Sequence, residues 1–87
     1  MTIAHVRKRT GEIVPFDSEK ITAAIQKAMS YLGIKNRKKA EFLSRKIAEA
    51  LQSKQPIFYQ GIPTIEQIQN TVEEILEKHE QRVYKAY

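Results

Sequence analysis

The residues with the clearest capacity for chemistry lie near the start of the chain, in VRKRTGEIVPFDSEKI, Val6 to Ile21. Arg7, Lys8 and Arg9 put three cations in a row, and Asp17-Ser18-Glu19-Lys20 has the form of a helix start, whose free N–H groups attract anions. A short hairpin between the two segments would let cations and N–H donors converge on one small volume, which is what a phosphate group needs. In a period-two strand Ala4, Val6 and Lys8 share one face, and His5, Arg7 and Arg9 the other. Lys8 is therefore expected to point where Val6 points, toward the core. An ammonium group buried without a partner is costly, so an inward Lys8 asks for an anion. The competing reading is a solvated edge strand carrying ordinary surface charge.

The elements that must position these groups can be read from pattern. Residues 5 to 16 suit a β-hairpin, with Val6, Ile13, Val14 and Phe16 as strand formers and Thr10-Gly11 as the turn. Pro15 confines the second strand to an edge or an end. Asp17 suits the N-cap of a first helix over 18–32, with Gly33 as its stop. Along it Ile21, Ala24, Ile25, Ala28, Met29 and Leu32 follow the spacing of one buried helical face. A basic connection, Lys35 to Lys39, leads through Asn36 as cap into a second amphipathic helix outlined by Ala40, Leu43, Ile47, Ala50 and Leu51 and ending near Lys54. The Pro- and Gly-punctuated QPIFYQGIPT, Gln55 to Thr64, holds Ile57, Phe58, Tyr59 and Ile62 and is expected to pack back on the helices. Thr64 to Gln67 fits a capping box that opens a third helix through Ile65, Ile68, Val72, Ile75 and Leu76. A fourth helix starts at about Gln81, and its Val83, Ala86 and Tyr87 resemble the first turns of a longer one. The expectation is an α+β fold, mainly α, with an N-terminal hairpin and about four helices. Residues 1–87 then form a single domain, the N-terminal fragment of a longer protein, prone to self-association through its incompletely covered helical face.

Bulk composition narrows the function classes. Eighty-seven residues, 41% of them hydrophobic, suffice for one small core. Without cysteine there is no disulfide framework, and two histidines, His5 and His79, far apart in the chain, do not suggest a zinc site. No apolar run approaches the roughly 20 residues of a membrane span, and nothing resembles a signal peptide, so the chain reads as cytoplasmic with no membrane partner. Fifteen Lys and Arg against ten Asp and Glu give a net charge of +5, which favours a polyanion, nucleotide or nucleic acid. No nucleophile with its base and no carboxylate pair stands out, so catalysis is not expected.

Three segments also resemble a known family. V-x-K-R-x-G followed by x-x-x-P-F-D-x-x-K-I, then F-Y-x-G-I-x-T, then H-E-x-x-x-Y-K-A-Y, in that order, are similar to the ATP-cone, the regulatory domain at the front of many ribonucleotide reductase catalytic subunits. The resemblance implies ATP or dATP bound beneath a hairpin lid, with Mg²⁺ on the phosphates. On the matching positions it implies that Val6 packs near the base, Lys8 and Arg9 hold phosphates, Asp17 accepts from the adenine amino group and Lys20 lies beside it. Phe16 and Ile21 would wall the base pocket, and Thr64 and Gln69 would approach the ribose. Plain core packing competes for Phe16 and Ile21, and helix capping for Thr64. The sequence departs from the family's pattern at three places: Thr10 stands where an acidic residue commonly precedes the turn glycine, Val14 where some members carry a glutamate, and Gln69 where some carry a histidine. Adenine reading would then rest more on Asp17 and backbone groups. Lys85 is a further, weaker phosphate candidate.

The implied function is a non-catalytic allosteric module that binds an adenine nucleotide and regulates the catalytic domain of its parent enzyme. The runner-up, a nucleic-acid-binding or transcription-regulatory module using the basic hairpin, would show steep salt dependence and indifference to mononucleotides. The cone also occurs in a repressor of reductase genes, behind a zinc ribbon, but this chain has no cysteine. A plain protein-interaction bundle is a third reading.

Overall fold

A computed structural model describes residues 3–87. The chain forms strands β1 (His5–Arg7) and β2 (Ile13–Pro15), then helices α1 (Ser18–Tyr31), α2 (Arg37–Lys54), α3 (Ile65–His79) and α4 (Gln81–Ala86). Two short 3₁₀ turns, Gln55–Ile57 and Tyr59–Gly61, lie between α2 and α3. This is the α+β, mainly α architecture that the sequence pattern implies.

β1 and β2 pair antiparallel, His5 with Pro15, Val6 with Val14 and Arg7 with Ile13. The Lys8 N–H donates to the Glu12 carbonyl at 2.8 Å and the Gly11 N–H to the Lys8 carbonyl at 2.9 Å. Gly11, at φ +92°, closes a three-residue hairpin loop, a backbone shape that a side chain there would oppose. Arg9 and Thr10 are therefore turn residues, and the strand's alternation stops at Lys8. This corrects the burial expected of Lys8. Val6 is 8% exposed, as its phase requires, but Lys8, on the same phase and at the hairpin tip, is exposed.

The helix boundaries have local causes. Asp17 caps α1, its carboxylate accepting from the Glu19 N–H at 3.0 Å. At the other end Gly33, at φ +77°, donates to the Ser30 carbonyl while Ile34 donates to that of Met29, the paired bonds of a Schellman ending. Asn36 caps α2 by accepting from the Lys39 N–H at 3.1 Å. Thr64 and Gln67 make the reciprocal capping box of α3, at 2.8 and 3.1 Å. The six-residue α4 has no side-chain cap and is held by packing.

One core joins all the helices. Ile25 and Met29 of α1, Leu43, Ile47 and Leu51 of α2, Val72 and Leu76 of α3 and Val83 of α4 are essentially inaccessible. The Thr22 hydroxyl donates to Ser44 at 2.8 Å across α1 and α2. Lys54 donates to the buried Thr71 and to Glu74, tying the end of α2 to α3. The loop of residues 55–64 packs back only in part: Phe58 and Pro63 are buried, but Ile57 and Tyr59 are 79% and 74% exposed. Its far end is nonetheless fixed to the hairpin, since the Arg7 N–H donates to the Pro63 carbonyl at 2.9 Å and Arg7 bridges Thr64 as a short parallel pair. No helix among the described residues is long and apolar enough to cross a membrane.

Candidate functional site

The stitch between β1 and the loop decides which helix the cations face. Phe16 donates to the Ala4 carbonyl and Lys8 to that of Glu12, so the start of α1 and the cationic tip lie at opposite ends of the hairpin. Four residues of extended chain separate them, about 14 Å. The expected meeting of the cations with the start of α1 is therefore corrected. The helix start at the tip is that of α3, brought there by the Arg7 to Pro63 bond.

At that place Arg7, Lys8, Arg9 and Gly11 face Thr64, Ile65 and Glu66 across a shallow depression of about 260 Å³. The capping box engages the N–H groups of Thr64 and Gln67. Those of Ile65 and Glu66, in the first turn of α3, are the ones an α-helix leaves without an internal partner. Positive side chains and helix N–H donors thus converge, though on a different helix from the one expected. Arg7 is turned toward the loop: its Nη2 donates to Oε1 of Gln60 at 3.0 Å and its guanidinium lies 5.6 Å from the Tyr59 ring centroid. Arg9 pairs with Glu66 at 3.5 Å, both side chains mostly exposed. Lys8 enters no ion pair among the described residues.

A second concavity lies further along α3. Ala24, Lys27, Ala28 and Tyr31 of α1, Gln69 of α3 and Ala86 and Tyr87 at the chain end line a cleft of about 430 Å³. Ile65, in the first depression, and Gln69, in the second, stand one helical turn apart. Lys20 is exposed and falls on the α1 stripe of Ala24, Lys27 and Tyr31 by its spacing. The Tyr87 hydroxyl donates to Oε1 of Gln69 at 3.2 Å, and burial of the ring pushes its pKa above the ordinary phenol value. Gln69 and Tyr87 also border a further cleft with Glu73, Tyr84 and Lys85.

The sequence-predicted residues thus do not all meet in one place. Lys8, Arg9 and Thr64 meet at the hairpin tip, with Val6 buried beneath the hairpin. Gln69 lines the cleft between α1 and α3, and Lys20 lies one turn before Ala24 on the α1 stripe that borders it. Asp17 is exposed at the start of α1, Ile21 is a core residue at 9% exposure, and Phe16 lines a separate hollow with Ile3, Ser18, Ala48 and Leu51. Lys27, Glu66 and Tyr87 border the concavities but do not stand out in the sequence as site residues. Lys27 is seven residues after Lys20, a helical spacing that marks it. Glu66 reads only as part of the capping segment and Tyr87 only as apolar cover for the bundle. No cluster of three metal-ligating side chains occurs among the described residues.

Comparison with known proteins identifies the family. The chain is 43% identical over 76 residues to a vitamin B12-dependent ribonucleoside-diphosphate reductase from Thermoplasma acidophilum, a match that covers 85% of this chain and 9% of the relative. The chain therefore spans less than a tenth of that relative's length. The model of the ATP cone domain matches residues 4–87, nearly the whole chain, and the protein belongs to the ATP cone domain family.

Proposed function

We propose that this domain senses adenine nucleotides, binding ATP or dATP lengthwise along α3 and passing the difference between them to an attached reductase catalytic domain. The carrying observation is the pairing of a cationic depression at the start of α3 with an alanine-floored cleft one turn further on. A triphosphate suits the first, through Lys8, Arg9 and the α3 N–H groups. A nucleoside suits the second, with Ala24, Ala28 and Ala86 as an apolar floor, Tyr31 and Tyr87 as walls and Gln69 as a polar group. In this arrangement Thr64 lies at the phosphate end while Gln69 and Lys20 lie beside the sugar and base. Phe16 and Ile21 support the fold, and Asp17 meets the base only if the nucleotide reaches round α1.

Mg²⁺ would arrive on the phosphates, which supply its oxygen ligands with few from the protein. The domain itself would carry out no chemical step. A regulatory output requires that ATP and dATP differ in affinity for two arrangements of the parent protein; tight binding alone shifts nothing. The parent is taken to be a ribonucleotide reductase, with residues 1–87 as its nucleotide-sensing unit, on the strength of the Thermoplasma relative. Isothermal calorimetry with ATP, dATP and GTP tests the reading. Saturable binding of the adenine nucleotides with much weaker binding of GTP is expected. Equal binding of all three, or of none, would refute adenine sensing.

A further inference from the structure

Arg7 borders the cationic depression, yet its guanidinium is engaged elsewhere, and main chain and side chain hold the same loop. The Arg7 N–H donates to the Pro63 carbonyl at 2.9 Å, while Nη2 donates to Oε1 of Gln60 at 3.0 Å and the guanidinium lies 5.6 Å from the Tyr59 ring centroid. The segment so held is strained. Gln60, at φ +56°, is the one non-glycine residue with positive φ among the described residues, and Gly61 follows at +71°. An L residue in that region gives up backbone stability that neighbouring contacts must offset. On one side of the bend Gln55 Nε2 donates to the Gly61 carbonyl at 3.3 Å; on the other stands Arg7. Beyond the bend come Pro63, which accepts the Arg7 N–H, and Thr64, the N-cap of α3. The shape of the bend therefore sets where α3 begins relative to the hairpin.

We infer that Arg7 is a positioning residue for the triphosphate: by bracing the loop through Gln60 and Tyr59 it keeps the start of α3 against the hairpin tip, where Lys8 and the α3 N–H groups meet. The inference rests on the nucleotide reading above. Arginine suits the task better than lysine, because its planar fork can donate to an amide oxygen and lie over a ring at once. Gln60 lies outside the lining of the depression, so its effect on phosphate binding passes through Arg7 and the loop. A nucleotide finds its site only in the fraction of molecules whose loop is closed, and the apparent affinity falls with that fraction. One exposed hydrogen bond from a charged donor, with a cation–π contact beside it, is worth about two- to tenfold.

The test is a double-mutant cycle on the 87-residue chain, with Gln60→Met, Arg7→Met and the double variant, and Gln60→Glu beside them, titrated calorimetrically with ATP and melted in parallel. Gln60→Met keeps the side-chain length, changes no charge and removes the acceptor. It should weaken ATP about two- to tenfold. Gln60→Glu restores an acceptor for Arg7 and should bind ATP within about twofold of the unaltered chain. Arg7→Met should weaken ATP at least as much as Gln60→Met, and the double variant no more than Arg7→Met alone, as expected for two residues acting as one unit. Unchanged affinity in Gln60→Met, equal weakening by Gln60→Glu, additive effects in the double variant, or losses confined to variants that no longer melt cooperatively would each overturn the inference while leaving adenine binding standing. Failure of the unaltered chain to bind ATP would overturn both.

Discussion

Glu66→Gln gives opposite signs for binding and for stability. Glu66 borders the cationic depression, in the first turn of α3, and pairs with Arg9 at 3.5 Å. A terminal phosphate held there by Lys8 and the helix N–H groups would sit near this carboxylate. For a doubly charged phosphate ~6 Å away in a water-like dielectric, Coulomb's law gives a repulsion of about 1.4 kcal/mol. Screening over a Debye length of about 8 Å at physiological salt roughly halves that, to about 0.7 kcal/mol. Removing the charge should therefore tighten ATP binding about threefold at 0.15 M salt, with almost no gain at 1 M, where the screening length is about 3 Å. The same change removes an exposed ion pair and a favourable charge at a helix N-terminus, which together cost about 0.5 to 1 kcal/mol. For a domain of this size that lowers the melting temperature by roughly 2 to 8 °C. Calorimetry at two salt concentrations, with thermal melts alongside, reads both effects. Affinity that is unchanged at low salt, or weaker, would refute the placement of phosphates at the tip.

Three other substitutions or conditions probe separate parts of the account. Asp17→Ser keeps a good N-cap, so stability should move by no more than a few tenths of a kcal/mol; a fall in preference for ATP over GTP would show that the nucleotide reaches Asp17, and unchanged selectivity would leave it a cap alone. Val83→Ala deletes two methyl groups from a fully buried site on α4 and should cost about 1.5 to 3 kcal/mol in chemical denaturation, whereas a negligible loss would mean α4 is not docked. Burial raises the Tyr87 pKa in the folded chain, so the folded state resists losing that proton. The corresponding stability is complete below the ordinary phenol pKa near 10 and is lost as pH rises through the folded value, so Tyr87→Phe should flatten part of the alkaline decline in melting temperature.

Much of the fold is legible in the sequence because its signals are local. Asp17, Asn36 and Thr64 cap the helices that their positions announce, Gly33 ends α1, and Gly11 sets the hairpin loop. The apolar spacing of Ile25, Met29, Leu43, Ile47, Val72 and Leu76 identifies residues that are buried. What fails is what depends on long-range placement. The phase of Lys8 is readable, but how completely other elements cover that face at the hairpin tip is not, and that cover separates a buried ammonium from an exposed one. The partner of the cations is likewise set by a bond between residues 56 apart in the chain, Arg7 to Pro63, which no local pattern announces. The loop residues Ile57 and Tyr59 are apolar in composition yet exposed, whereas Phe58 and Pro63 are the ones the fold buries. Lys8, Arg9 and Thr64 could be named from motif, but the contribution of Glu66 emerges only when α3 is set against the hairpin, and the pairing of Tyr87 with Gln69 only when the end of the chain is set beside α3.

The most direct test of the central claim is amide chemical-shift mapping by NMR as ATP is titrated into the chain. The account predicts that the largest perturbations fall on Lys8 to Gly11, on Ile65 and Glu66, and on Ala24, Lys27 and Gln69, tracing one path along α3 from the hairpin tip to the cleft. Perturbations confined to the basic face of α2 around Arg37, Lys38 and Arg45, with the hairpin tip and the start of α3 unmoved, would contradict it.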